Sequence, residues 1–124
     1  MNAKIIKILG IISLLVVLSS CTLRREFNGS RTGNDDQFIM SYDILNTKDS
    51  QELTFKKSEK IISDIDNKSG ELTVEFLNKN EEILFKKNYN KDKDRFTFEV
   101  PKDGKYVISV TGKNAKGKVS FIKE

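Results

Sequence analysis

The sequence predicts an all-β domain, a small antiparallel β-sandwich of seven to eight strands over residues 37–124, behind a cleaved signal peptide (residues 1–20) and a flexible tether (residues 21–36). Three observations carry this prediction. After Gln37, apolar residues alternate with polar ones in short runs, the period of a strand with one buried face. Clusters of Gly, Asn and Asp separate those runs, as hairpin turns require. The first apolar stretch is instead continuous and follows two early lysines, which is the layout of an export signal.

In that signal, Lys4 and Lys7 precede the run Ile8–Leu18. A helix that spans a bilayer needs ~20 apolar residues, so this shorter run suits a secretory core segment and not a protein anchor. Leu18-Ser19-Ser20-Cys21 follows at once. It resembles the lipobox of bacterial lipoproteins: a branched apolar residue, two small residues, then a cysteine. The resemblance covers residues 1–21. It implies cleavage after Ser20, lipid attachment to the Cys21 thiol as diacylglyceryl cysteine with palmitate-like chains, and the lipoprotein export and processing machinery as partners. It places the protein at the extracytoplasmic face of the bacterial cell membrane. Two acyl chains anchor stably where one is reversible, because each buried CH2 contributes ~0.8 kcal/mol.

The 124 residues include 22 Lys or Arg, 18 Asp or Glu, one Cys, and no His or Trp. Without His there is no Ser-His, Cys-His or His-metal site, and a lone Cys forms no intrachain disulfide. Removing residues 1–20 takes away two lysines and more than a quarter of the apolar residues, leaving 104 residues with 20 basic and 18 acidic side chains. So small a net charge gives no reason to expect nucleic acid as a partner.

Thr22–Asp36 has two Gly, three Arg and no apolar periodicity. Such a stretch buries too little surface to offset its ordering entropy, so a tether is expected, with Phe27 available to pack back onto the domain. Arg24 and Arg25 stand beside the acyl chains, where each contributes about 1 kcal/mol against anionic headgroups; simple solvation accounts for them equally well. The strands then follow in order. Phe38, Met40, Tyr42 and Ile44 mark the first, Leu53 and Phe55 the second, Leu72, Val74 and Phe76 a third, and Ile83 with Phe85 another. Phe96, Phe98 and Val100 come next, then Tyr106, Ile108 and Val110, then Val119 and Phe121. Ser58–Ile65 has two readings, a short helix capped by Ser58 or a strand with Ile61, Ser63 and Ile65 on one face. The strand is favoured, because three Ile in eight residues suit a sheet. Turns are expected at Asn67–Gly70, Asn78–Glu81, Pro101–Gly104 and Gly112–Gly117. Pro101 suits a turn's second position, so strands 95–100 and 105–111 should pair directly.

Gly104-Lys105-Tyr106-Val107-Ile108-Ser109-Val110 resembles the Gly-x-Tyr-x-(Ile/Val)-x-Val strand of small jelly-roll domains found beside secreted bacterial peptidases. There too, an alternation such as Phe96–Val100 precedes the turn. Asn28-Gly29-Ser30-Arg31-Thr32-Gly33 ahead of a β domain is similar to small lipoproteins of low-GC Gram-positive bacteria. These resemblances cover roughly residues 27–124. They imply a jelly-roll-like fold and an envelope location, and transfer no catalytic residue.

Candidate chemistry is sparse. The carboxylate pairs Asp35-Asp36, Asp64-x-Asp66, Glu81-Glu82 and Asp92-x-Asp94 are interleaved with Lys, as on solvated faces, and not set across an apolar cleft. Asp64–Gly70 with Glu75 departs from a calcium loop, since Lys68 and Ser69 occupy places that require an oxygen ligand and a glycine. No catalytic residue, metal or cofactor is therefore expected. Tyr89, in the polar loop Asn88–Asp94, is the candidate ligand contact, as a platform for a sugar ring. Lys56, Lys57, Lys60, Lys86, Lys87, Lys91 and Lys93 read either as edge protection or as a patch for anionic cell-wall polymer or phospholipid, the former preferred. The expected function is a non-catalytic interaction or accessory domain displayed by a lipid anchor, with a protein or cell-wall polymer as partner. The alternative is a glycan- or small-ligand-binding lipoprotein, which an apolar pocket with convergent polar groups would favour.

Overall fold

A computed structural model describes residues 25–124. The expected signal peptide, the lipobox-like residues Leu18, Ser19 and Ser20, the expected lipid attachment residue Cys21, and Arg24 lie outside the described residues. The described chain is all-β, without a helix: β1 (Glu26–Gly33), β2 (Gln37–Asn46), β3 (Lys48–Phe55), β4 (Lys60–Asn78), β5 (Ile83–Tyr89), β6 (Asp92–Glu99) and β7 (Gly104–Lys123).

Two long strands make the sandwich. β4 and β7 run antiparallel along almost their whole lengths, and the pair folds over on itself, so each strand serves both layers. In the first layer the order is β1-β2-β7-β4-β6, using residues 115–122 of β7 and the Lys60–Asn67 half of β4. In the second it is β3-β7-β4-β5, using residues 104–111 of β7 and the Leu72–Leu77 part of β4. The fold-over lies where the β4–β7 register shifts on either side of Ser69. Gly70 has φ +71° there, and a Cβ on it would lie 2.1 Å from the Asn114 carbonyl oxygen, so this close crossing requires glycine. Asn67, buried beside it, donates from Nδ2 to the carbonyls of Gly70 at 3.0 Å and Asn90 at 2.5 Å, and accepts from the Tyr42 hydroxyl at 3.3 Å. This end is called the corner end below. The other, where β1–β2, β3–β4, β4–β5 and β6–β7 are joined, is the open end.

The inward phases of both layers meet in one core. Phe76 is its centre, with ring centroids of Phe85, Phe98, Phe121 and Phe96 at 5.0, 5.3, 5.8 and 6.0 Å. Phe121, Phe96 and Phe98 belong to the first layer and Phe76 and Phe85 to the second, so these contacts hold the layers face to face. Along one flank Phe85 of β5 stacks on Phe96 of β6 at 4.7 Å. Along the other, Arg31 of β1 lies 4.9 Å over the Phe38 ring and donates to Asp49 Oδ2 at 2.8 Å, the Ser50 carbonyl at 2.8 Å and Gln51 Oε1 at 3.0 Å.

Four sequence expectations change. First, Glu26–Gly33, expected within the flexible tether, is a strand paired to β2 over its full length. All eight of its residues are exposed, so no alternation marks it; main-chain bonds and the Arg31 bridge hold it. Phe27 remains 40% exposed. Second, Asn67–Gly70 is not a turn between strands but the bend of one 19-residue strand, which joins the Ile61–Ile65 segment, here a strand, to Leu72–Phe76. Third, Gly112–Gly117 is likewise a bend inside the 20-residue β7 and not a connection. Fourth, β6 and β7 do not pair. In the second layer β7 already has β3 on one side and β4 on the other, and β6 takes the free edge of β4 in the first. Pro101–Gly104 therefore carries the chain between layers, fixed by Tyr106, whose hydroxyl donates to the Lys102 carbonyl at 2.7 Å, and by Asp103 Oδ1, which accepts from the Lys57 amide at 2.6 Å.

Candidate functional site

The outward phase of the first layer forms a lattice set by register. One row runs Gln37, Ile122, Ile62, Thr97 across β2, β7, β4 and β6. The next runs Ile39, Ser120, Asp64, Arg95, and the third Ser41, Lys118, Asp66, Lys93. A groove of about 560 Å³ follows the second and third rows. Three isoleucines, Ile39, Ile62 and Ile122, gather toward the open end, with Ile122 42% exposed. They sit on the phase that elsewhere is polar. A shallow apolar strip bordered by ionic groups has the composition of an interaction surface.

Among the described residues, five of the six charged side chains that line the groove, Asp64, Asp66, Lys93, Arg95 and Lys118, form no ion pair within 4.0 Å. The sixth charged residue that lines the groove, Asp94, is paired. Asp94 accepts from the Tyr89 hydroxyl at 2.6 Å and from Lys87 Nζ at 3.0 Å. The Tyr89 hydrogen bond, then that of Lys87, holds the Asp94 carboxyl below the usual carboxylate range. Burial, reinforced by Asp94, pushes the Tyr89 hydroxyl up. Lys123 Nζ bonds Asp36 Oδ1 at 2.7 Å, which raises the Lys123 ammonium. Burial also raises the Tyr42 hydroxyl, with the Asp66 carboxylate adding to it.

The other sequence candidates fall into place as follows. Tyr89 is not a platform: it closes β5, its ring is 1% exposed, and its hydroxyl is spent on Asp94. The polar residues around it concealed that its position is in phase with the inward-facing Leu72. The seven lysines do not form one patch. Lys56, Lys57 and Lys60 are at the open end, Lys86 and Lys87 on β5, and Lys91 and Lys93 at and after the β5–β6 turn. Asp64 and Asp66 lie on the outer face while Asn67 turns into the core, so the calcium-loop spacing is dispersed. Among the described residues no cluster of three or more metal-ligating side chains exists. The Ser63 Oγ is buried without a hydrogen-bond partner, in line with Phe96 and Phe121, where no substrate reaches it. Sequence reasoning passed over the groove. Its only signal was doubling of apolar residues, as in Phe38-Ile39-Met40, Ile61-Ile62 and Phe121-Ile122, which puts an isoleucine on the wrong phase.

No family model matches the chain, and no curated protein matches it. Solved structures do. The pre-peptidase C-terminal domain of a collagenase from Bacillus anthracis is similar at a TM-score of 0.53 and 16% identity, over 82% of this chain and 99% of that one. A periplasmic inhibitor of g-type lysozyme from Aeromonas hydrophila follows at 0.49 and 11%, over 82% and 90%. The xylan-binding module CBM86 from Roseburia intestinalis gives 0.41 and 12%, over 79% and 82%. At the first of these values the likeness shows a shared β-sandwich fold.

Proposed function

We propose that this protein is a lipid-anchored envelope lipoprotein whose β-sandwich is a non-catalytic interaction domain, binding a partner on the outer face of β2, β7, β4 and β6. The observation that carries the reading is the surface formed by Ile39, Ile62 and Ile122 beside five charged side chains that have no ion-pair partner within the described chain. Core-like apolar groups with a polar border suit a protein partner. The same face supports the glycan alternative poorly, because no aromatic side chain lines the groove to stack on a sugar. The lipobox sequence supports the anchor: Cys21→Ala should abolish incorporation of labelled palmitate and release the protein from membranes, and unchanged retention would refute the anchor. For the surface, a photo-crosslinking residue in place of Ser120 should capture a partner in intact cells where one in place of Lys86 does not. Equal yields from both positions would refute the surface.

A further inference from the structure

We infer that the corner end of the sandwich rests against an anionic phospholipid surface, so that the domain stands with its open end outward instead of swinging on a tether. The inference rests on the proposed anchor at Cys21 and adds an orientation to it. The first supporting observation is chain length. β1 begins at Glu26, so only Thr22–Arg25 separates Cys21 from a strand locked into the sheet. Five peptide steps reach at most ~18 Å, against the ~50 Å available to a fifteen-residue tether. Each layer is about eight residues tall, or ~26 Å, so this link is shorter than the domain. The link also enters at the corner end, because Glu26 pairs with Asn46, whose Oδ1 accepts from the Asn114 amide at 3.1 Å within the β7 bend.

The second observation is charge. The strand ends and bends of the corner end, residues 25–26, 43–48, 66–71, 90–93 and 112–118, hold eight basic and five acidic side chains. The open end, residues 33–37, 54–60, 78–83, 98–106 and 121–124, holds seven basic and eight acidic. Ser69 pairs with Lys116 and Glu71 with Lys113 on the bend, and Lys68, Lys113 and Lys116 are all exposed. Cationic groups held within a Debye length of anionic headgroups are attracted to them, and the effect fades with salt.

The test uses the full acylated protein in phosphatidylglycerol vesicles, with phosphatidylcholine vesicles for comparison. Because the acyl group blocks Cys21, Lys116→Cys and Asp103→Cys each supply one labelling site. A headgroup quencher should dim a fluorophore at 116 several-fold more than one at 103 on the anionic vesicles. That ratio should fall with added salt and with Lys68→Glu/Lys113→Glu, while vesicle retention persists. Retained protein with equal quenching at both sites overturns the docking and leaves the anchor standing; protein that is not retained, like the Cys21→Ala control, overturns both.

Discussion

Asn67→Ala should destabilise the domain far more than its place in a polar tetrapeptide suggests. Its side chain is buried at the fold-over, and the variant loses two donated hydrogen bonds, to Gly70 and Asn90, and one accepted bond from Tyr42. Gly70 and Asn90 are exposed, so water re-satisfies their carbonyls and each lost bond costs only about 1 kcal/mol. Tyr42 is 2% exposed, so its hydroxyl is left buried without a partner at a cost of about 1–3 kcal/mol. Together the loss is about 3–5 kcal/mol, or roughly 14–24 °C in Tm for a domain of about 100 residues. Urea unfolding followed by circular dichroism measures it. Tyr42→Phe in the Asn67→Ala background removes the orphaned hydroxyl and should recover about 1–2 kcal/mol relative to additivity. A loss below about 1 kcal/mol, or two additive mutations, would refute the claim that Asn67 pins the bend.

Other perturbations test separate parts of the structure. Gly70→Ala forces a left-handed backbone and a 2.1 Å approach to the Asn114 oxygen, so thermal unfolding should show a loss above about 2 kcal/mol or failure to fold. Ser63→Ala removes an unsatisfied buried hydroxyl and should leave stability unchanged or raise it by up to about 1 kcal/mol in urea; a clear loss would mean the hydroxyl has a partner. The Asp94 carboxyl titrates lower in the folded chain than in the unfolded one, so its stabilisation is present above about pH 4 and disappears as pH falls through the folded value. Asp94→Asn should therefore flatten the acid-side decline in unfolding midpoint, and an unchanged acid profile would assign that decline to other carboxylates.

Alternation was a good guide wherever a strand had one buried face. Leu72, Val74 and Phe76, or Tyr106, Ile108 and Val110, are fully inward because a period of two leaves no other assignment. Turn chemistry was the weaker guide. Asn67-Lys68-Ser69-Gly70 has the composition of a hairpin turn, yet it bends a strand that keeps the same partner on both sides. The same small, conformationally permissive residues serve either purpose. The candidate site was the least legible part, since its members come from four strands and share a face only through cross-strand register.

The sequence by itself determined the all-β class and the inward phase of most strands, and it alone speaks of Cys21. It did so because burial and the resemblance to a lipobox are both written in neighbouring residues. Tertiary structure alone decided that β4 and β7 belong to both layers, that Glu26–Gly33 is a strand, and that Ile39, Ile62 and Ile122 meet on one surface. Those outcomes depend on which edges other strands have already taken and on main-chain hydrogen bonds, and neither leaves a local pattern in the side chains.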